Sequence, residues 1–274
     1  MAPGWPMPLP PAWNRNIDCG WVEFKSGREE IRGYFARPKG RKDLPAIVTV
    51  HENPGIIEHR QDVTRRIAKA GYASLTVDLY SRVGGRPPQD FKTPEERRSK
   101  AFLATPDEQA IPDLEAGCHY LEQSGLVDAD RIGAIGYCMG GGTMLAWIFG
   151  QTTRIKAAVA FYPTVVVPGP WRPDGKPLSR AAVAAKLTCP LQVHFGEADE
   201  AVKSTDQRLL EDSLKQARQP TEFYRYPATN HAFHDDTHPN YVDESAQLAW
   251  HRAMQFLGRH LRVAGTGAAA AAGE

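Results

Sequence analysis

The chain is predicted to be an α/β protein with a mostly parallel central sheet and helices on both faces. From residue 46 to residue 261, short apolar runs alternate with longer segments of helical period. This alternation is typical of parallel strands joined by crossover helices. Two further strand-like segments, residues 21–24 and 31–36, come before it and indicate an antiparallel pair around the turn at Ser26 and Gly27.

The individual elements follow from these patterns, and together they predict a single domain over residues 17–262. Apolar runs predict strands at residues 46–50, 73–77, 131–137, 155–161, 191–195 and 221–226. Helical period predicts helices at residues 61–70, 107–123, 139–149, 201–218 and 241–261. Residues 1–16 hold five prolines and two tryptophans and indicate an extended arm, and residues 263–274 indicate a disordered tail.

The charge balance argues against nucleic-acid and membrane partners. The chain has 33 basic and 32 acidic residues, for a formal net charge of +1, so it carries no strong basic field. No apolar run reaches the roughly 18 residues of a membrane span. The N-terminus lacks the pattern of a secretory signal, so we expect a cytoplasmic protein with a small-molecule substrate. The tryptophans of the arm could pack on the domain or on a second subunit, which leaves a homo-oligomer open.

The four cysteines show neither CxxC spacing nor the pattern of a small disulfide framework. In a reducing compartment the default interpretation is a buried, unreactive thiol. We apply it to Cys19, Cys118 and Cys189, and we make an exception for Cys138.

The exception rests on the segment Gly-Tyr-Cys-Met-Gly at residues 136–140, between a predicted strand and a predicted helix. This is the spacing of a nucleophile elbow, in which glycines allow two backbone segments to approach closely. The helix N-terminus favours a thiolate at Cys138, and the backbone N–H of Met139 could serve as an oxyanion donor. The alternatives are a glycine-rich packing turn and a phosphate loop, but the Lys-Ser/Thr ending of the latter is missing.

Two polar loops follow later strands in the order that an elbow nucleophile requires: acid, then histidine. Asp199 follows the strand at residues 191–195, and His231 follows the strand at residues 221–226. Because active residues in parallel sheets gather at the carboxyl ends of strands, we expect both side chains near Cys138. Glu197 and Glu200 are alternative acids.

A metal site is the competing interpretation of the histidine loop, which contains His231, His234 and His238 beside Asp235 and Asp236. The segment has no HExxH pattern and no cysteine partner. We therefore expect neither a metal nor a cofactor.

The strand at residues 46–50 ends in the polar sequence His-Glu-Asn-Pro-Gly. In an elbow fold the loop after this strand supplies the second oxyanion N–H, and Asn53 is the candidate. Glu52 should lie close to Cys138. The alternative for His51 and Glu52 is a polar strand end satisfied by local hydrogen bonds.

These motifs resemble the dienelactone hydrolase (carboxymethylenebutenolidase) family, which has the α/β-hydrolase fold. The stretches that carry the resemblance lie between residues 45 and 235: VTVHENPGI, GYASLTVDLYSR, PEERRSKAF, RIGAIGYCMGGG, HFGEADEAV and TNHAF. The resemblance implies a triad of Cys138, Asp199 and His231. It also implies that Glu52 modulates the thiol and that Arg98 holds a substrate carboxylate.

The chain departs from the family pattern at three substrate-binding positions. Ala232 stands where the family has serine, Asp235 where it has a second carboxylate-binding arginine, and Phe102 where it has tyrosine. We expect a divergent member with a changed substrate.

The expected function is cleavage of an ester or lactone through a thioester acyl-enzyme. The alternatives are a broad carboxylesterase or thioesterase and, from another class, a catalytically silent binding protein on the same fold.

Overall fold

A computed structural model describes residues 15–261, and its centre is an eight-stranded sheet. The large sheet has the order β1-β2-β4-β3-β5-β6-β9-β10. Its strands are β1 (Ile17–Ser26), β2 (Glu29–Pro38), β3 (Leu44–Val50), β4 (Ala73–Val77), β5 (Val127–Tyr137), β6 (Ile155–Phe161), β9 (Leu191–Gly196) and β10 (Thr221–Tyr226). β1 and β2 pair antiparallel, β2 pairs antiparallel with β4, and the remaining pairs are parallel. The predicted α/β class and the mostly parallel sheet are thus confirmed.

Helices cover both faces of this sheet. They are α1 (Glu58–Lys69), α2 (Pro94–Ala104), α3 (Asp107–Gln123), α4 (Cys138–Ile148), α5 (Ser204–Leu214) and α6 (Asp243–Leu261). Apolar side chains of α1 and α6 form one buried cluster, and those of α3, α4 and α5 belong to the cluster on the opposite face. Among residues 15–261, no helix is both long and apolar enough to cross a membrane.

The structure adds elements that the sequence patterns did not predict. Helix α2 was not among the predicted helices, because its first two turns are mostly charged and only two of its residues are buried. A short antiparallel pair, β7 (Val166–Val167) and β8 (Leu178–Ser179), lies in the connection between β6 and β9. The predicted helix at residues 201–218 is shorter at both ends, since α5 spans only Ser204–Leu214.

The predictions for the chain ends remain open. The predicted arm (residues 1–16) and the predicted tail (residues 263–274) lie outside the described part of the chain, apart from a turn at Arg15 and Asn16.

Among the cysteines, one expectation was wrong. Cys118 and Cys189 are buried, but Cys19 on β1 is only partly buried, because β1 is an edge strand of the sheet.

The elbow packs against β3 at distances that leave no room for a side chain. A Cβ atom added at Gly140 would lie 2.3 Å from the carbonyl oxygen of His51 and 2.6 Å from that of Val50. At Gly136 an added Cβ would lie 2.7 Å from the Cα of Gly141. The motif glycines are therefore required by contact between two backbones, which side-chain repacking cannot relieve.

Gly140→Ala should therefore destabilise the protein by about 3 kcal/mol, the upper part of the usual overpacking range. Gly20→Ala is the matched control, because an added Cβ there meets nothing within 4 Å. Urea unfolding of both variants measures the difference. Equal midpoints would mean that the elbow and β3 are not in the tight contact described.

Candidate functional site

The nucleophile elbow is formed as the motif requires. Cys138 follows β5 directly, begins α4 and has a φ of 51°, a left-handed conformation that is uncommon for a residue with a side chain. Its side chain is partly exposed, whereas Met139 is fully buried. The Cys138 sulfur is thus presented at the N-terminus of a buried helix.

His231 and Asp199 are joined as predicted. Nδ1 of His231 lies 2.9 Å from Oδ2 of Asp199. The other carboxylate oxygen, Oδ1, accepts the backbone N–H groups of Ala201 and Val202 at 2.8 and 2.7 Å. The loop after β9 therefore fixes the carboxylate, and the carboxylate fixes the tautomer of the imidazole, with the proton on Nδ1. The alternative acids Glu197 and Glu200 are both exposed.

Two residues that the sequence analysis did not single out hold this pair in place. Oδ1 of Asn230 accepts the backbone N–H of His231 at 2.6 Å and that of Glu200 at 3.1 Å, which links the two loops. The ring of Tyr162, which follows β6, packs 4.9 Å from the imidazole of His231. Asn230 lies in the quoted TNHAF stretch, but its role depends, like that of Tyr162, on the neighbouring positions of β6, β9 and β10 in the sheet.

The charge of the His231 imidazole depends on Cys138 and on Asp199. Burial opposes that charge, but negative charge at Cys138 and the hydrogen bond to Asp199 outweigh burial and raise the pKa of His231 to about 10. Cys138 contributes to this shift through its charge and through a side-chain interaction with the ring, although Nε2 of His231 forms no hydrogen bond of normal geometry with any described residue. A loose contact of this kind is common before substrate binds.

The loop after β3 is held by hydrogen bonds of its own. Nδ1–H of His51 donates to the carbonyl oxygen of Glu52 at 2.8 Å, and Nε2 accepts the backbone N–H of Leu79 at 3.0 Å. Burial lowers the pKa of His51, in keeping with a neutral ring. The hydroxyl of Tyr80 donates to the carbonyl oxygen of Asn53 at 2.8 Å. His51 is thus a satisfied polar strand end, the alternative stated above.

Glu52 has a different environment. Its carboxylate receives a hydrogen bond from the guanidinium of Arg60 on α1, with Nη2 and Oε2 2.5 Å apart. Arg60 is fully buried. Arg60 could not be singled out from the sequence, because it lies just before the helix predicted at residues 61–70, where a basic side chain normally faces solvent.

A cavity of about 700 Å³ opens above the elbow. Its walls include eight of the ten residues predicted from the sequence, namely Cys138, His231, Asn53, Glu52, Arg98, Phe102, Ala232 and Asp235. Asp199 lies behind His231 instead, and Met139 is buried beneath the elbow. The volume lies within the range of sites for small organic ligands.

One side of the cavity is aromatic and cationic. The rings of Phe102 and Trp171 stack with centroids 5.5 Å apart, and the guanidinium of Arg98 lies 5.7 Å from the Trp171 ring. Arg97 and Arg98 both border the cavity, and neither forms an ion pair with any residue in the range 15–261. Trp171 was not predicted, since it ends a single turn of 3-10 helix, Gly169–Trp171, between β7 and β8.

Asp235 also borders the cavity. Oδ1 of Asp235 accepts the backbone N–H and the hydroxyl of Thr237 at 2.9 and 2.6 Å. The carboxylate also lies 3.4 Å from Nδ1 of His59. Asp235 therefore shapes the histidine loop as well as bordering the cavity.

The histidines considered as metal ligands are not brought together. His231 is bound to Asp199, His234 packs between the rings of Phe161 and Trp250, and His238 is exposed. A different group, His59 with Asp235 and Asp236, has ligand atoms within 4.8 Å of one another. Arg66 already forms an ion pair with Asp236, and a guanidinium at that place disfavours a cation.

The architecture and the cavity at the carboxyl ends of the strands are those of an α/β hydrolase. The solved acylaminoacyl peptidase of Pyrococcus horikoshii has the same fold, with a TM-score of 0.70 at 17% identity over 93% of this chain and 44% of that one. The model of the Dienelactone hydrolase family matches residues 31–261. The chain belongs to that family and is a hydrolase of the dienelactone hydrolase type.

Individual relatives agree with this assignment. A Bradyrhizobium protein provisionally named 2-oxo-3-(5-oxofuran-2-ylidene)propanoate lactonase is 31% identical over 89% of this chain and 96% of its own length. A Yersinia pestis protein provisionally named carboxymethylenebutenolidase is 30% identical over 89% of both chains. A crystal structure from Klebsiella pneumoniae, provisionally named dienelactone hydrolase, gives a TM-score of 0.81 at 28% identity over 89% of this chain and 99% of that one.

The pKa of His231 offers a direct test of the geometry. Cys138→Ser and Asp199→Asn should each lower it, since each removes negative charge beside the ring. In the wild type the raised pKa stabilises the fold fully below the ordinary value of about 6.5. That contribution should be lost as the pH rises toward about 10.

NMR titration of the histidine ring protons measures the change. His194, whose pKa burial lowers to about 3, should stay neutral in all three proteins and serves as the internal reference. A His231 resonance that does not respond to either substitution would place the imidazole away from both side chains.

Proposed function

We propose that the protein is a cysteine-dependent hydrolase that cleaves an ester or lactone through a thioester acyl-enzyme. The observation that carries the proposal is the position of Cys138. It has a left-handed backbone at the start of α4, borders the large cavity and lies within electrostatic reach of the His231–Asp199 pair.

In the proposed mechanism the sulfur of Cys138 attacks the substrate carbonyl. The N–H groups of Met139 and Asn53 bind the resulting oxyanion, where preorganised donors are most effective. His231 donates a proton to the leaving oxygen and then takes a proton from the water that cleaves the thioester, while Asp199 keeps the imidazole oriented. No metal or cofactor takes part, and a reducing cytoplasm would keep the thiol available.

A sulfur nucleophile limits the substrates. A thiolate, with an ordinary pKa of about 8.5, leaves a tetrahedral intermediate more readily than a basic alkoxide does. Plain alkyl esters should therefore revert, whereas enol lactones, enol esters, aryl esters and thioesters have leaving groups good enough to go forward. The stacked Phe102 and Trp171 give such flat groups a surface to lie on.

A broad carboxylesterase or thioesterase remains the alternative enzyme, and a silent binding protein is the alternative from another class. Release of product from an activated aryl ester separates enzyme from binder, and a burst that is lost in Cys138→Ala would indicate an acyl-enzyme. Whether the chain acts as a monomer or a homo-oligomer is left open.

Iodoacetamide should inactivate the native enzyme by alkylating Cys138, and substrate should slow the loss. Cys138→Ala should lower turnover about a thousandfold or more. Burial raises the pKa of Cys189 to about 12 and that of Cys118 well above its ordinary value, so both thiols should react slowly.

Cys19 is partly exposed and should be removed first. Cys19→Ser is the matched control: it lies on an edge strand away from the cavity and should keep full activity. Mass spectrometry of the labelled peptide identifies the reacting residue. Near-normal turnover in Cys138→Ala would rule out the triad.

The charge of the substrate should matter little in the wild type. A carboxylate in the cavity gains attraction from Arg98 and suffers repulsion from Asp235, so neutral aryl or enol esters should compete well with carboxylate-bearing lactones. Asp235→Arg should shift the preference toward the anion by roughly tenfold or more, as expected of a hydrogen bond to a charged group. The shift should fall mainly on KM, because the contact exists in ground and transition states alike.

Asp235→Asn is the matched control for the loss of charge alone and should give a smaller shift. The measurement is kcat/KM for one neutral and one anionic substrate of the same shape on all three proteins. A wild type that already prefers the anion a hundredfold, with no response to either substitution, would show that Asp235 does not influence the substrate.

A further inference from the structure

A buried ion pair forms part of the cavity wall, and its basic partner has no role in the mechanism above. Nη2 of Arg60 donates to Oε2 of Glu52 at 2.5 Å. The guanidinium also lies 3.6 Å from the centre of the Tyr137 ring, the residue directly before Cys138. Arg60 is 0% exposed and Glu52 is 7% exposed. Burying two charges this deeply is costly unless each compensates the other.

Glu52 is surrounded by ionisable groups from several elements. Arg60 and His59 approach it from α1, His51 precedes it on the chain, and Tyr80 follows β4. The remaining neighbours are Tyr137 at the end of β5, Cys138 at the start of α4 and Tyr162 after β6. Arg60 is the group in this set whose side chain is a permanent cation hydrogen-bonded to the carboxylate.

Arg60 is the main group that lowers the pKa of the Glu52 carboxyl. Burial alone would raise the pKa of the Glu52 carboxyl, but the charge and hydrogen bond of Arg60 outweigh burial and lower it. Negative charge at Glu52 and at Cys138 also contributes to the raised pKa of both Tyr80 and Tyr162. Glu52 and Cys138 therefore lie beside the same two rings.

We propose that Arg60 is a positioning residue that holds Glu52 as a fixed carboxylate in the cavity wall. One carboxylate oxygen, Oε2, is bound to the guanidinium. The other, Oε1, is buried and has no hydrogen-bond partner among the described residues; because Glu52 borders the cavity, this oxygen is free to accept from a donor on the substrate or from the thiol. The effect on turnover rests on the function proposed above, but the charge of Glu52 does not.

The aromatic contact explains why the arrangement is rigid. The Tyr137 ring lies under the guanidinium and itself stacks on Phe161, with centroids 4.9 Å apart. A buried guanidinium packed this closely against an aromatic ring can move little, so its hydrogen bond fixes the direction of the carboxylate as well as its charge. A lysine would keep the charge but lose this stacking.

The test is an NMR titration of the protein with ¹³C-labelled glutamate side chains, compared among wild type, Glu52→Gln, Arg60→Met and Arg60→Lys. Glu52→Gln identifies the Glu52 signal by its loss. In the wild type and in Arg60→Lys the signal at neutral pH should be that of a carboxylate. In Arg60→Met it should shift to that of a protonated carboxyl, because burial is then unopposed.

Turnover supplies the functional readout. The dependence of kcat/KM on pH should gain one ionisation in Arg60→Met, with activity rising as Glu52 loses its proton. The double variant Arg60→Met/Glu52→Gln should lose that ionisation again. A residue that served only the fold would lower activity without adding an ionisation that depends on Glu52.

The proposal stays testable if Arg60→Met does not fold. The double variant replaces both charges by neutral groups and leaves no buried charge unpaired, so it should fold. A protonated Glu52 in the wild type at neutral pH overturns the proposal, as does a carboxylate signal that persists in Arg60→Met. Loss of the proposed function, for instance full activity in Cys138→Ala, would leave the NMR result unchanged and is thereby distinguished from it.

Discussion

The contact between the elbow and β3 is the constraint on which the rest of the site depends. Gly140 touches the carbonyl oxygens of Val50 and His51 so closely that even a methyl group is excluded. This contact sets the start of α4 and the left-handed backbone of Cys138. It also places the loop after β3, which carries Glu52 and Asn53, against the elbow. This backbone contact therefore helps to position both Cys138 and the loop that carries Glu52 and Asn53.

The buried charged side chains of this site are paired, because burying an unpaired charge is costly. Each buried charge has a partner: the imidazole of His231 lies on Asp199, and the carboxylate of Glu52 lies on Arg60. Burial works against the ionised form of both groups; it is outweighed at His231 by the charge of Cys138 together with Asp199, and at Glu52 mainly by Arg60. His231 of one pair and Glu52 of the other border the same cavity as Cys138.

Much of the fold and the centre of the site could be predicted from the sequence. Elbow spacing identified Cys138, and the order of the loops identified Asp199 and His231, because each residue follows its own strand and parallel strands end at one edge. Local periodicity was enough for nearly all strands of the sheet. Helix α2 was not predicted, since its first half is mostly charged and only Ala101 and Phe102 are buried, which gives no clear apolar period.

Only the tertiary structure determined the contacts between segments that lie far apart in the chain. From its residue type alone Arg60 is expected at the surface, but it is buried against Tyr137 of β5 and Glu52 of the loop after β3. Trp171 joins Phe102 across about seventy residues of chain to form the aromatic wall, and Asn230 ties two loops that no local pattern connects. Periodicity and motif spacing report only what neighbouring residues require of the backbone, and they predicted the fold class and the candidate residues Cys138, Asp199 and His231. Which residue lies beside a buried charged group depends on tertiary packing. Packing depends on the whole sequence and cannot be inferred from a local pattern.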